Sequence, residues 1–197
     1  MLSMKIAKDS DLGNLLNLLT KNNYRELTSN LIWHKENTRI FVSKQGTVAT
    51  IKERNGIYTL TFRDTAPGVK SRTATKDKLE YKVCIDKVTH SVHKLVALAY
   101  PEYAGVHKEG YEVHHIDGNH LNNNCKNLIW LPSDAHKKVH ELISQGTDKK
   151  EALATVCIIF GIYDWEGIIM SAGNYNAMSG VHYNYKEWRE LECSLKV

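Results

Sequence analysis

The 197-residue chain has no long apolar run and few cysteines, and each lack excludes a class of protein. No stretch of about 18 apolar residues exists, so we expect no membrane-spanning helix. The first ten residues contain no apolar core of the kind that secretory signals carry, so we expect no secretory signal. The four cysteines are Cys84, Cys125, Cys157 and Cys193. None belongs to a Cys-x-x-Cys pair, which argues against a disulfide scaffold or a cysteine zinc ribbon and suits a protein of the reducing cytoplasm.

Histidine, by contrast, is abundant, and positive charge is concentrated in one block. Eight of the ten histidines lie in residues 90–140, and histidine is both a common metal ligand and a common general base. Residues 39–94 carry 12 Lys and Arg against five Asp and Glu, although the net charge of the chain is only +4. Such a block indicates a polyanionic partner, most often nucleic acid, or else a solvated lysine-rich surface.

The spacing of apolar residues predicts helices at both ends of the chain and strands between them. Leucines at helical spacing predict an amphipathic helix over residues 10–33, which Ser10 or Asp11 can cap. Alternating β-branched and aromatic residues in 39–92 predict antiparallel strands, with a hairpin turn at Gln45-Gly46. The four predicted segments are 1–38, helical; 39–92, basic strands; 93–146, which contains most of the histidines; and 147–197, helical.

Residues 111–146 predict a strand, a loop, a second strand and a helix. The first strand (111–116) ends at the turn residues 117–119, and an Asn-rich loop leads to the second strand (128–131). We expect Ser133 to cap the following helix, which closes at Gln145-Gly146.

Four histidines fall on these elements in a pattern that suits metal chemistry. His136 and His140 are four residues apart on the helix, so they share a face and can bind one ion. His114 can supply a third ligand from across the hairpin. Side chains alternate along a strand, so His115 points elsewhere and is available to accept a proton. Three protein ligands leave positions open for water or a phosphate oxygen, as in a catalytic site.

This segment resembles the HNH nuclease motif, the ββα-metal or His-Me finger of colicin nucleases, phage nucleases and intron-encoded homing endonucleases. The matching positions are Val113-His114-His115-Ile116-Asp117-Gly118-Asn119, Asn122-Asn123, Asn127-Leu128, His136 and His140. Upstream, residues 92–97 resemble the helix that precedes the motif in phage and intron-encoded members, and residues 41–48 resemble their strand module. The resemblance covers about 40–145 and implies an α+β fold: a ββα-metal core, upstream antiparallel strands and helical flanks.

The resemblance implies a metal-dependent DNA endonuclease. His115 would be the general base that activates water, and His114, His136 and His140 would hold a divalent ion. Asn127 would fix the loop and so orient His115. Three imidazoles favour zinc or another transition ion, whereas the oxygen-rich sites of many phage members suit magnesium, so Mg, Zn and Mn all stay open.

Double-stranded DNA is the partner that the resemblance implies. Residues 63–78 form a polar loop that is either solvated or a phosphate-contacting arm. The candidate DNA-binding residues are Arg63, Lys70, Arg72, Lys76, Lys78, His93, Lys94 and Lys137. Residues 147–197 faintly resemble the helix-turn-helix of intron-encoded nucleases, with a helix to about 160, a glycine turn, a second helix (165–171) and a closing strand (181–185). The net negative charge of this region counts against a DNA reader, and the alternative is a helical pair packed on the core.

Two other functions are open at this point. One is a non-catalytic DNA-binding module with a structural metal, and the other is an RNA-directed or toxin-type nuclease. For the leading hypothesis, a homing-type enzyme of a phage or mobile element in the host cytoplasm, a monomer would nick one strand and a homodimer would cut both.

Overall fold

The computed structural model describes residues 5–9, 11–69 and 79–162. They form an α+β protein in which every strand pairing is antiparallel. The strands are β1 (Lys5–Asp9), β2 (Tyr24–Glu26), β3 (Thr38–Ser43), β4 (Val48–Arg54), β5 (Ile57–Arg63), β6 (Ala66–Val69), β7 (Leu79–Ile85), β8 (Val88–Ser91), β9 (Tyr111–His115) and β10 (Leu128–Pro132). The helices are α1 (Leu12–Lys21), α2 (Val92–Ala99), α3 (Pro101–Ala104), α4 (Ser133–Ser144) and α5 (Lys149–Ile159).

The predicted strand region forms a five-stranded sheet in the order β1-β5-β4-β3-β2. The β3–β4 hairpin turns at Gly46, as predicted, and the β4–β5 hairpin turns at Asn55-Gly56, where both residues have positive φ. Helix α1 covers this sheet because Leu15 and Leu19 are buried in one apolar cluster with its side chains.

The helix predicted over residues 10–33 is wrong beyond Lys21. Asp11 does cap α1, accepting a hydrogen bond from the Gly13 amide at 2.8 Å. The chain then reverses at Asn23, which has φ of 60°, and residues 24–26 pair with β3. Sheet pairing thus overrides the local helical pattern, and the N-terminal segment contributes strands as well as a helix.

A second sheet, in the order β6-β7-β8, leads directly into the helix that the sequence predicts ahead of the motif. Ser91 ends β8 and Val92 begins α2, so no loop separates sheet from helix. Helix α2 is nearly surrounded: Leu95 and Val96 are fully buried in a cluster that also contains side chains of β3, β7 and β10. Residues 70–78 of the predicted polar loop lie outside the described residues.

The ββα unit consists of the β9–β10 hairpin and α4. In its register His114 lies opposite Ile129 and His115 opposite Leu128. Helix α4 packs on this hairpin and on α5 through a second apolar cluster that includes Leu131. Ser133 is not the N-cap that the sequence predicts: it is the first helical residue, behind Pro132, and its Oγ donates to Glu112 Oε1 at 3.0 Å.

The C-terminal region begins with the predicted helix. Asp148 caps α5 and accepts hydrogen bonds from the amides of Lys150 and Glu151. The second helix (165–171) and the closing strand (181–185) of the predicted helix-turn-helix lie outside the described residues. Among the helices of the described residues, none has the length and apolar character of a membrane-spanning segment.

The β3–β4 turn packs against the Asn-rich loop, and two glycines allow that contact to be measured. Gly46 and Gly56 both have positive φ, so alanine at either site costs about 1–2 kcal/mol of backbone strain. A Cβ at Gly46 would also lie 2.9 Å from Asn123 Cβ and 3.2 Å from Val92 Cγ1, whereas none of the described atoms lies within 4 Å at Gly56. We expect Gly46→Ala to destabilise by about 1–3 kcal/mol more than Gly56→Ala, measured by urea unfolding. An equal loss of unfolding free energy in both variants would contradict the contact between the β3–β4 turn and the Asn-rich loop.

Candidate active site

Three histidines from two elements converge at the interface between β9 and α4. The candidate ligand nitrogens of His114, His136 and His140 all lie within 4.8 Å of one another. The Nε2 atoms of His136 and His140 are 3.2 Å apart, which follows from their positions one helical turn apart. The strand histidine and the helix pair therefore form the triad that the sequence pattern predicts.

The triad is chemically suited to a divalent ion. His114 is only 2% exposed, and this burial, followed by the neighbouring His136 and His140, lowers its pKa from 6.5 to about 3. The ring is therefore neutral near pH 7, which is the form that coordinates metals. Its buried Nε2 has no hydrogen-bond partner among the described residues. A buried imidazole nitrogen without a partner, facing two further imidazoles, fits a transition ion such as zinc.

Glu112, which is absent from the residues predicted for the site, supports the triad. Its Oε2 lies 2.8 Å from His136 Nδ1, and its Oε1 accepts from Ser133. Because a carboxylate only accepts, His136 donates from Nδ1 and directs its Nε2 towards the other histidines. Its position in the sequence could have indicated this role: Glu112 precedes His114 by two residues on the same strand, and side chains two residues apart lie on the same face.

His115 occupies the opposite side of β9. It is 2% exposed, and its Nε2 lies 3.2 Å from Asn123 Oδ1. The rings of His93 and His120 flank it edge-on, at centroid distances of 5.2 and 5.1 Å. His114 and His115 therefore face different partners, as alternation along the strand predicts.

Asn127 closes the loop between the two strands. Its Oδ1 accepts from the Asp117 amide at 3.0 Å, and its Nδ2 donates to Asp117 Oδ1 and to the Asn122 carbonyl, each at 2.9 Å. Although burial alone would raise it, the pKa of Asp117 is lowered by the hydrogen bonds from Asn122 and Asn127 and from the amide of Asn119. The ionised Asp117 and Asn127 together hold the turn that follows His115.

A buried acid lies behind the base candidate. Glu80 on β7 is 4% exposed, and its Oε2 lies 3.5 Å from His93 Nδ1. Ser91 Oγ donates to Glu80 Oε1, and Lys82 Nζ is 3.4 Å from the same oxygen. The structure thus places His93, predicted to contact DNA, in the interior between Glu80 and His115.

The other candidate DNA-binding residues are spread over several elements. Arg63 lies at the end of β5, where its Nε donates to Thr50 Oγ1 at 2.9 Å. Lys94 is exposed on α2. Lys137 is exposed on α4 and lies 3.3 Å from Asp134. Four further candidates lie outside the described residues, and they are Lys70, Arg72, Lys76 and Lys78.

Comparison with known proteins identifies the ββα unit. The family model of the HNH endonucleases matches residues 92–138. This stretch comprises α2, α3, both strands of the hairpin and half of α4, so the match confirms the resemblance drawn from the motif in this segment. A comparison with curated proteins gives no match.

A solved structure described as "DNA binding and cleavage by the HNH homing endonuclease I-HmuI" is similar to this chain. The TM-score is 0.41 and the sequence identity is 24%. The match covers 64% of this chain and 60% of that chain, so the present protein spans less than two thirds of the length of I-HmuI in that structure.

The Glu112–His136 contact predicts a specific effect on metal affinity. Glu112→Gln removes the carboxylate that orients His136, and we expect Zn²⁺ to bind about 10–100-fold more weakly, measured by isothermal titration calorimetry. Glu109→Gln is the matched control, since Glu109 is an exposed acid three residues earlier. Equal Zn²⁺ affinity in both variants would rule out this role for Glu112.

Proposed function

We propose that this protein is a metal-dependent endonuclease that hydrolyses a phosphodiester bond in double-stranded DNA. The observation that carries the proposal is that two adjacent histidines of β9 face different partners: His114 faces two further imidazoles, and His115 faces Asn123 of the Asn-rich loop. The HNH endonuclease match over residues 92–138 supports the same chemistry.

In this mechanism His115 is the general base. It accepts a proton from the attacking water, which requires a ring of fixed orientation within hydrogen-bond reach of that water. Asn123 contacts His115 Nε2, and Asn127 with Asp117 holds the turn that follows it. These contacts keep the imidazole in one orientation, so little reorganisation is needed at the moment of reaction.

His114, His136 and His140 would hold the divalent ion. When bound, such an ion stabilises negative charge on the phosphoryl oxygens and on the leaving 3′ oxygen. His114 is neutral because its burial lowers its pKa, and Glu112 holds His136 in the tautomer that donates from Nδ1. The products would be 5′-phosphate and 3′-hydroxyl ends. The donor set favours zinc, while magnesium and manganese remain candidates.

We infer a homing-type role, in a phage or mobile element acting in the host cytoplasm, from the sequence resemblance upstream of the motif. One active site cuts one strand, so a monomer nicks and a homodimer is needed for a double-strand break. The alternative is a DNA-binding module with a purely structural ion. A structural ion normally has four protein ligands, whereas three histidines form the group in the described residues.

Plasmid relaxation tests the mechanism. We expect the wild type to nick supercoiled DNA, EDTA to abolish nicking, and His115→Ala to slow it about 10²–10⁴-fold, since a general base contributes that much. His107→Ala is the control, because His107 packs on Trp130 outside the site. Adding back Zn²⁺, Mg²⁺ or Mn²⁺ after EDTA ranks the metals.

The outcomes separate the alternatives. If neither EDTA nor His115→Ala changes the nicking rate, the mechanism is wrong. Tight binding of duplex DNA with no cleavage under any of the three metals would favour the binding module. Faster cleavage of RNA than of duplex DNA would favour the RNA-directed nuclease.

A further inference from the structure

A basic pocket lies where the five-stranded sheet meets the β6-β7-β8 sheet. Its volume is about 310 Å³, which is within the ~300–1,000 Å³ typical of ligand sites. Its lining shares no residue with the histidine centre and consists of Lys35, Lys52, Arg63, Cys84, Asp86 and Lys87. The fold thus brings together four cationic side chains that are far apart in the sequence.

The single carboxylate of this pocket is already engaged. The side chain of Asp86 is 1% exposed, pairs with the Lys52 ammonium and accepts the Lys35 amide at 3.0 Å. Although burial alone would raise it, these partners lower the pKa of Asp86 to about 2, led by the hydrogen bond from Lys52. Asp86 therefore neutralises Lys52 and anchors the backbone of Lys35.

Asp86 neutralises one of the four cationic side chains of the pocket, so three positive charges are not balanced by it. The side chains of Lys35, Arg63 and Lys87 form no ion pair among the described residues. The bond from Arg63 Nε to Thr50 orients the guanidinium. A planar Arg donor flanked by lysine point charges suits a phosphate group.

The β7–β8 turn presents Lys87 at a conformational cost. Asp86 and Lys87 have φ of 51° and 71°, the left-handed region in which glycine is favoured. Both are non-glycine residues, and both line the pocket. The position therefore keeps a charged side chain where a glycine would be more stable.

We propose that this pocket binds a backbone phosphate of the DNA, as an anchoring site separate from the catalytic centre. That the phosphate belongs to DNA rests on the proposed function. The sheet that carries Lys52 and Arg63 also contacts the loop of the histidine centre at the β3–β4 turn, where the Cys125 amide donates to the Lys44 carbonyl at 2.8 Å. Contacts to phosphates set the position of a protein on a duplex without reading its sequence.

Cys84 allows occupancy of the pocket to be measured directly. It is exposed in the lining, whereas Cys125 and Cys157 are buried. The rate at which iodoacetamide alkylates Cys84, followed by mass spectrometry of its peptide, should fall at least tenfold with saturating duplex lacking terminal phosphates. The same alkylation rate is measured with inorganic phosphate and with ATP in place of the duplex, and sodium chloride is added so that the ionic strength is equal in all samples. Protection by these but not by the duplex would overturn the assignment to DNA, and protection by none would overturn the pocket.

Substitutions provide an independent test, with duplex binding measured in EDTA so that no cleavage occurs. Arg63→Gln and Lys87→Gly should each raise the Kd several-fold and lower the slope of log K against log salt by about 1. Lys87→Gly should at the same time raise the melting temperature, which excludes unfolding as the cause. Lys21→Gln, an exposed lysine at the end of α1, should leave the Kd unchanged. An unchanged Kd for both pocket variants would overturn the proposal.

These results are distinguishable from a failure of the proposed function. If the wild type does not nick DNA but the duplex protects Cys84, the endonuclease mechanism fails and the anchoring site stands. If nicking depends on His115 but Cys84 is not protected, the anchoring site fails and the mechanism stands.

Discussion

Alternation of side chains along one short strand is the constraint on which the candidate site depends. His114 and His115 are adjacent, so the strand must direct one towards α4 and the other towards the loop. A slip of one residue in the β9–β10 register would exchange them and disable both tasks. The buried cross-strand partners Leu128 and Ile129 oppose such a slip because it would move them out of their present apolar clusters.

The rest of the domain keeps this hairpin in place. Helix α4 must present His136 and His140 to the strand, and its apolar face packs on α5 so that the ligand face stays turned inward. On the other side, α2 fills the core between the sheets and carries His93 to the edge of the His115 ring. The two faces of β9 are thus supported by different clusters.

Local patterns predict the elements of the site, while its supporting contacts depend on tertiary structure. Two local patterns can be recognised in the sequence alone because each spans only a few residues. They are the i, i+4 spacing of His136 and His140 and the turn residues after His115. The helix predicted over residues 10–33 is wrong after Lys21, since β2 forms only by pairing with β3, which lies later in the chain. Lys52 and Arg63 lie on β4 and β5 of one sheet, whereas Cys84 lies on β7 of the other, so the pocket residues meet only in the folded structure.

The direct passage from β8 into α2 has a mechanical consequence. With no loop between Ser91 and Val92, the sheet cannot rotate freely against the helix that packs beside His115. In the proposed function, a duplex held on the sheet would therefore meet His115 at one fixed offset along the DNA backbone. The distance between the anchored phosphate and the cleaved bond would then be constant, whatever the DNA sequence between them.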